Sequence, residues 1–178
     1  MTRHIVRLSD LPNRKPTPFE IVPSADEREA IATRLGIVGI RKLRFVGMLA
    51  PQGGHDWHLT ADLGASVVQS CVVTLDPVTT RIDEAVTRTY LADMPEITGG
   101  ETEMPEDDTT EALPETVDLA AVMVEALSLA LPPYPRREGA ALGEAVFTES
   151  GITPLRDEDT KPFAGLAGLR ESLEKKDE

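Results

Sequence analysis

One cysteine in 178 residues leaves no partner for an intramolecular disulfide, so whatever holds this chain together is packing and hydrogen bonding. A lone thiol also agrees with a reducing compartment. Aromatic residues are scarce, at 4% of the chain, which points to a core of Val, Leu, Ile and Ala and leaves few rings for stacking on nucleic-acid bases. No apolar run reaches the roughly eighteen residues that a spanning helix requires. The opening MTRHIVRLSD lacks the apolar centre of a secretory signal, so the expected location is the cytoplasm. Glycine loops that cradle phosphate, a Ser-His-Asp arrangement and paired-carboxylate motifs are all missing from the sequence.

Acidity is what the chain has in excess. Its formal net charge is −13, but the excess is local. Asp93, Glu96, Glu101, Glu103, Glu106, Asp107, Asp108, Glu111, Glu115 and Asp118 lie in one stretch that contains no Lys or Arg. Taking these ten from the 31 acidic residues leaves 21 against 18 basic ones, a nearly neutral remainder. Self-repulsion and low apolar content favour an extended loop over 93–116. Such a loop is either a solvated linker or a tether for a basic partner, steering a cation in and repelling phosphate.

The apolar pattern predicts an α+β domain spanning 1–178. His4–Leu8 and Phe19–Val22 read as short extended segments, with a basic, proline-rich loop over Pro12–Pro18. Ser24 and Glu27 have capping-box spacing, Ala30, Ile31 and Leu35 make an apolar stripe, and Gly36 supplies a left-handed stop. From Ile37 to Leu91 the period is two. Leu43, Phe45 and Leu49 alternate with Arg44, Val46 and Met48, and Pro51–Gly54 turns the chain. Trp57, Leu59, Ala61, Leu63, Ala65, Val67, Cys71 and Val73 then hold one parity, broken only by Gln69. This predicts one long strand, bent near Gly64. Pro77 opens another that runs to about Leu91, with Ile82, Val86 and Tyr90 inward. The expected core is an antiparallel β meander packed by two or three helices. The second helix starts at an Asp118 cap and carries Leu119, Val122, Met123, Ala126, Leu127 and Ala130 to a stop at Pro132 and Pro133. Residues 136–161 read as a loop, Phe163, Leu166, Leu169 and Leu173 as a short amphipathic helix, and 174–178 as a tail.

Little here suggests catalysis or metal. His55 and His58 are three apart, so on a strand they point to opposite faces and cannot chelate unless His55 is in the turn. A site would also want a third ligand, for which only the remote His4 is at hand, and exposed turn histidines are the better reading. Cys71, on the apolar face of its strand, reads as a small buried hydrophobe without a base beside it. Expected catalytic, metal and cofactor sites are therefore none. Candidate partner-binding residues are Glu103, Glu106, Asp107 and Asp108 in the acidic stretch and Arg41, Lys42 and Arg44 among the cations. Arg136 and Arg137 form a second, shorter basic cluster. Both basic clusters are short and lack interleaved aromatics, and such clusters more often serve as solvated faces.

Three pieces stand in order along the chain: Gln69-Ser-Cys71-Val-Val-Thr74-Leu-Asp-Pro77 at a strand end, Val117-Asp118-Leu119 leading through Glu125 to Leu129-Ala-Leu-Pro132 behind the acidic stretch, and Lys161-Pro162-Phe163-Ala164-Gly-Leu166-Ala-Gly-Leu169 near the end. Together they resemble the YceD family, the large ribosomal RNA subunit accumulation proteins. The first is similar to the family's Cys-x-x-Cys step, the second to its helix with a preceding acidic loop, and the third to its terminal Asn-Pro-Phe-Ala-x-Leu element. The departure is Thr74, which stands where the second cysteine belongs, so no thiolate zinc or redox role carries over. The resemblance implies a bacterial, noncatalytic factor in ribosome biogenesis whose partner is a ribosomal protein or pre-ribosomal particle. Direct binding of ribosomal RNA and an RNA-processing enzyme are the alternatives.

Overall fold

In the computed structural model, which describes residues 3–94 and 109–141, helix α1 (Ala25–Leu35) begins as its sequence requires. The Ser24 hydroxyl accepts the Glu27 N–H at 3.3 Å, and the Glu27 carboxylate accepts the Ser24 N–H at 3.0 Å. Gly36 ends the helix at φ 65°, where a side chain would be strained, and its N–H returns to the Ala32 and Thr33 carbonyls. The inward stripe is rotated from the expected one. Ile31 and Ala32 are buried, Leu35 is half-buried and Ala30 is exposed.

Met1–Ala140 forms one compact unit and Ala141–Glu178 a second, and the elements described here lie in the first. Strands β2 (Thr17–Ile21), β3 (Gly39–Gln52), β4 (Asp56–Ser70) and β5 (Pro77–Leu91) follow one another antiparallel across the sheet. The meander is as the alternation predicts. β4 is one uninterrupted strand whose register on both neighbours runs straight through Gly64. Pro18 lies within β2, not in the preceding loop, which the sheet tolerates because β2 is an edge. Two elements are additions: β6 (Thr110–Ala112), which joins β5 in parallel, and β7 (Thr116–Asp118), which pairs in a separate ribbon with β1 (Ile5–Arg7), the short extended segment expected over His4–Leu8. Thr110–Ala112 and Thr116, within the stretch read above as an acidic loop, therefore carry strand. Their backbone finds partners, and Glu111 and Glu115 find Arg88 and Arg7. Composition cannot reveal pairing to distant residues.

Asp118 caps α2 (Leu119–Ala130), its carboxylate accepting the Ala120 and Ala121 N–H groups. The same oxygen accepts the His4 N–H at 3.1 Å, tying the ribbon to the helix start. The helix sinks Leu119, Met123 and Leu127 into the core formed by Phe45, Leu59, Leu63, Ile82, Val86 and Tyr90 on one sheet face. Each of the three large helical side chains contributes about 2 kcal/mol through its burial. Residues 136–141 hold a turn at Glu138–Gly139. The remainder of the 136–161 loop, the helix expected over 163–173 and the 174–178 tail lie outside the described residues. No described helix is long and apolar enough to cross a membrane.

Candidate partner-binding surface

A strand that buries alternate residues turns the others away from the core, and here the outward residues form a broad face. Two rows of that face follow from the register. Lys42, Ser66 and Arg81 stand opposite one another across β3, β4 and β5, and beside them run Arg44, Gly64 and Asp83. Strands lie about 4.8 Å apart and successive rows about 6.7 Å. Gly64, which has no side chain, is thus enclosed by Lys42, Arg44 and Arg81. The result is a cleft of about 730 Å³, to which α1 adds Arg28 and the strand bend adds Arg41.

Arg41 reaches the cleft because of a β-bulge. Ile40 pairs with Val67 and Lys42 with Ser66, so Arg41 is the extra residue. Strict alternation would put Arg41 on the parity of Leu43 and Phe45, in the core. The bulge turns it out instead, and Arg41, Lys42 and Arg44 are all exposed. The structure thereby gathers Arg41, Lys42 and Arg44, the three cationic partner-binding candidates of the sequence, while Arg137 of the second basic cluster lies at the Cys71 turn. It adds Arg28, Arg81 and Gly64, which sequence reasoning missed. The one available signal was a glycine at an outward position of an otherwise unbroken strand. Arg28 gave none, since its guanidinium is placed by the Ile40 and Pro23 carbonyls, at 3.2 and 2.8 Å.

Five cations face three carboxylates, Asp62, Asp83 and Glu84, around the cleft. Arg44 donates to Glu20 at 2.8 Å, and Arg81 to Asp83 through two nitrogens. The Arg81 guanidinium holds the Asp83 carboxyl below its ordinary range, chiefly through hydrogen bonding. Among the described residues Arg41 and Lys42 make no ion pair.

At the far end of β4 the chain makes a tight turn with Cys71 at its root. Leu75 takes φ 62°, uncommon for a side-chain-bearing residue, and the turn is closed by the Cys71 N–H on the Asp76 carbonyl and the Leu75 N–H on the Cys71 carbonyl. Cys71 is fully buried, as expected, but its surroundings are more polar than alternation implied. Its sulfur accepts the N–H groups of Val73, Thr74 and Arg137, each at 3.4 Å. The thiol is pushed down to about 6, first by the Thr74 hydroxyl, then by the Arg137 and Thr74 N–H groups, against the opposing effect of burial. Around the sulfur, Val72 N–H reaches the Pro135 carbonyl, Gln69 the Pro132 carbonyl, and Arg137 the Asp76 carboxylate at 2.8 Å. The turn therefore clasps the segment leaving α2.

The histidines are dispersed. His55 is in the β3–β4 turn, His58 shares a hydrogen bond of 3.1 Å with the Thr89 hydroxyl on the outward face, and His4 lies just before β1 with its N–H on the Asp118 carboxylate. Among the described residues no three His, Cys, Asp or Glu side chains are grouped as metal ligands.

Residues 59–170, well over half of the chain, match the family described as large ribosomal RNA subunit accumulation protein YceD. The chain belongs to the YceD family. No curated protein and no solved structure is a match. That description ties this YceD protein to accumulation of large-subunit ribosomal RNA. The YceD-like residues quoted from the sequence now have places. Cys71 and Thr74 form the turn that clasps the chain after α2, and Asp118 caps that helix. Glu125 accepts from Arg88 at 2.6 Å, while Arg88 also reaches Glu111 on β6 at 3.2 Å. These are architectural roles. Glu103, Glu106, Asp107 and Asp108, together with the Lys161–Leu169 element, lie outside the described residues.

Proposed function

We propose that this YceD protein is a noncatalytic ribosome-biogenesis factor that supports large-subunit ribosomal RNA by holding a basic ribosomal protein or a pre-ribosomal particle. One observation carries the reading: ten carboxylates without a single Lys or Arg from Asp93 to Asp118, of which Glu111, Glu115 and Asp118 are engaged within the fold, in a chain otherwise close to neutral. A field of one sign raises the encounter rate with an oppositely charged partner and suppresses approach of phosphate to that stretch. The motif residues support a binding role, because Cys71, Asp118 and Glu125 are engaged in holding the fold together.

The test is a titration against basic large-subunit ribosomal proteins at two salt concentrations, with wild type and a variant carrying Glu103→Gln, Glu106→Gln, Asp107→Asn and Asp108→Asn. The variant should bind more weakly and with a flatter salt dependence. In cells, depletion should lower large-subunit RNA relative to small-subunit RNA, and the quadruple variant should restore it poorly. Unchanged protein binding by the variant would reduce the acidic stretch to a linker. A second reading, direct contact with ribosomal RNA, is favoured by the cationic cleft on the outward sheet face.

A further inference from the structure

We propose that the cleft over Gly64 seats the phosphodiester backbone of structured RNA, read without regard to base sequence. The choice of RNA rests on the tie to ribosomal RNA in the proposed function; the geometry is independent of it. Three features converge on this ligand. The cleft concentrates Arg28, Arg41, Lys42, Arg44 and Arg81 on a protein of net charge −13, so the local excess of cations opposes the overall charge. Its floor carries no side chain at Gly64, so the Arg81 guanidinium lies directly across it: an added Cβ there would stand 2.9 Å from an Arg81 nitrogen and 3.6 Å from an Asp83 oxygen. Its lining contains no aromatic side chain, since Phe45, Trp57 and Tyr90 are all buried in the core on the opposite face. Base stacking is therefore not on offer, and contact falls to phosphate oxygens and sugars.

The donors suit phosphate. Lys42 and Arg41 can approach as point charge and planar fork. Arg44 spends its Nε on Glu20, and Arg81 its Nε and one Nη on Asp83, so each guanidinium keeps other N–H groups for a second acceptor. Exposed ion pairs of this kind contribute little to stability, so a phosphate competes with the carboxylates at small cost. The carboxylates meanwhile hold both guanidinium groups beside the cleft.

The experiment uses the full-length protein, a short RNA duplex of large-subunit sequence and a shuffled duplex of equal length, titrated at several salt concentrations. Each phosphate neutralised contributes close to one unit of slope in log affinity against log salt. The variant Arg41→Gln, Lys42→Gln, Arg44→Gln should bind both duplexes at least tenfold more weakly at low salt and lose up to about three units of slope. A charge-matched control outside the cleft, Arg14→Gln, Lys15→Gln, Arg34→Gln, should lose much less. Gly64→Val fills the floor without changing charge, suits a strand, and should also weaken binding at least tenfold. Circular dichroism and thermal unfolding establish that each variant is folded, and the glutamine triple, which alters only exposed side chains, stands if Gly64→Val does not fold. Equal losses in the cleft and control triples, or a folded Gly64→Val that binds as wild type, overturn the cleft as the seat. So does absence of RNA binding, or tighter binding of a polyglutamate peptide than of RNA. If RNA fails while the acidic stretch still binds a ribosomal protein, the proposed function survives and this inference falls.

Discussion

The sulfur of Cys71 accepts the backbone N–H of Arg137 at 3.4 Å, joining the turn after β4 to the chain that leaves α2. Thr74, standing where a second cysteine would be expected, has the largest influence on that thiol. A hydroxyl and three N–H groups thus surround the one sulfur and favour its ionised form, since hydrogen bonds donated to an anion stabilise it.

Cys71 should titrate near pH 6, which thiolate ultraviolet absorbance measures against the unfolded chain, near 9. The sign follows from linkage. A depressed folded-state value means the unfolded chain holds more protons between those limits, so stability rises with pH across this window and is lost as pH falls through it. Thr74→Val should move the thiol upward, and Cys71→Ala should remove the rising limb from the pH–stability profile. A thiol that titrates at its ordinary value in the folded protein contradicts the geometry.

Asp118→Ala should cost about 1.5 kcal/mol in equilibrium unfolding, because one carboxylate caps α2 and also anchors His4 of the ribbon. Ser24→Ala, which opens only the α1 capping box, should cost about 1 kcal/mol. Asp118→Asn should recover most of the loss. Equal effects of the two alanine changes would mean that the His4 contact adds nothing.

Arg88 joins three elements, β5, β6 and α2, through Glu111 and Glu125, and its side chain is only 15% exposed. Arg88→Met should destabilise by about 2 kcal/mol, leaving two carboxylates facing each other without their cation. Glu111→Gln alone should cost under about 1 kcal/mol, since that partner is largely exposed. Amide exchange at Thr110–Ala112 should accelerate in Arg88→Met more than exchange in β4 does.

Gly47→Ala should be the most damaging single methyl in the sheet. A Cβ there would come within 2.2 Å of the Thr60 carbonyl oxygen and 2.5 Å of the Ala61 Cβ, and strand backbone has no room to yield. Overpacking of this kind costs about 2–3 kcal/mol. Gly64→Ala, which meets only side-chain ends, should be close to neutral, so the difference in unfolding midpoint between these two variants is the measurement.

Much of the architecture is legible along the chain because its causes are local. Ser24, Glu27 and Gly36 bound α1 through hydrogen bonds and a dihedral that involve only neighbours. The alternation from Trp57 to Val67 is a consequence of the pleat, and Asp118 with Pro132 delimits α2 for equally local reasons. What tertiary structure decided are relations between distant residues. Whether Arg41 faces the core or the solvent depends on a bulge set by pairing to Val67 and Ser66. Whether Glu111 belongs to a loop or a strand depends on Arg88 and the edge of β5. Cys71 looks like a plain hydrophobe in the strand pattern, yet it sits at the root of a turn where the Thr74 hydroxyl reaches its sulfur first and the Arg137 N–H, brought in by folding, adds to it. The cleft over Gly64 needs three strands and a helix to exist at all. Local patterns encode which segments are helix or strand, because their energetics are settled within a few residues. The environment of a side chain is settled by what folding brings beside it, and that is where the chemistry of this protein resides.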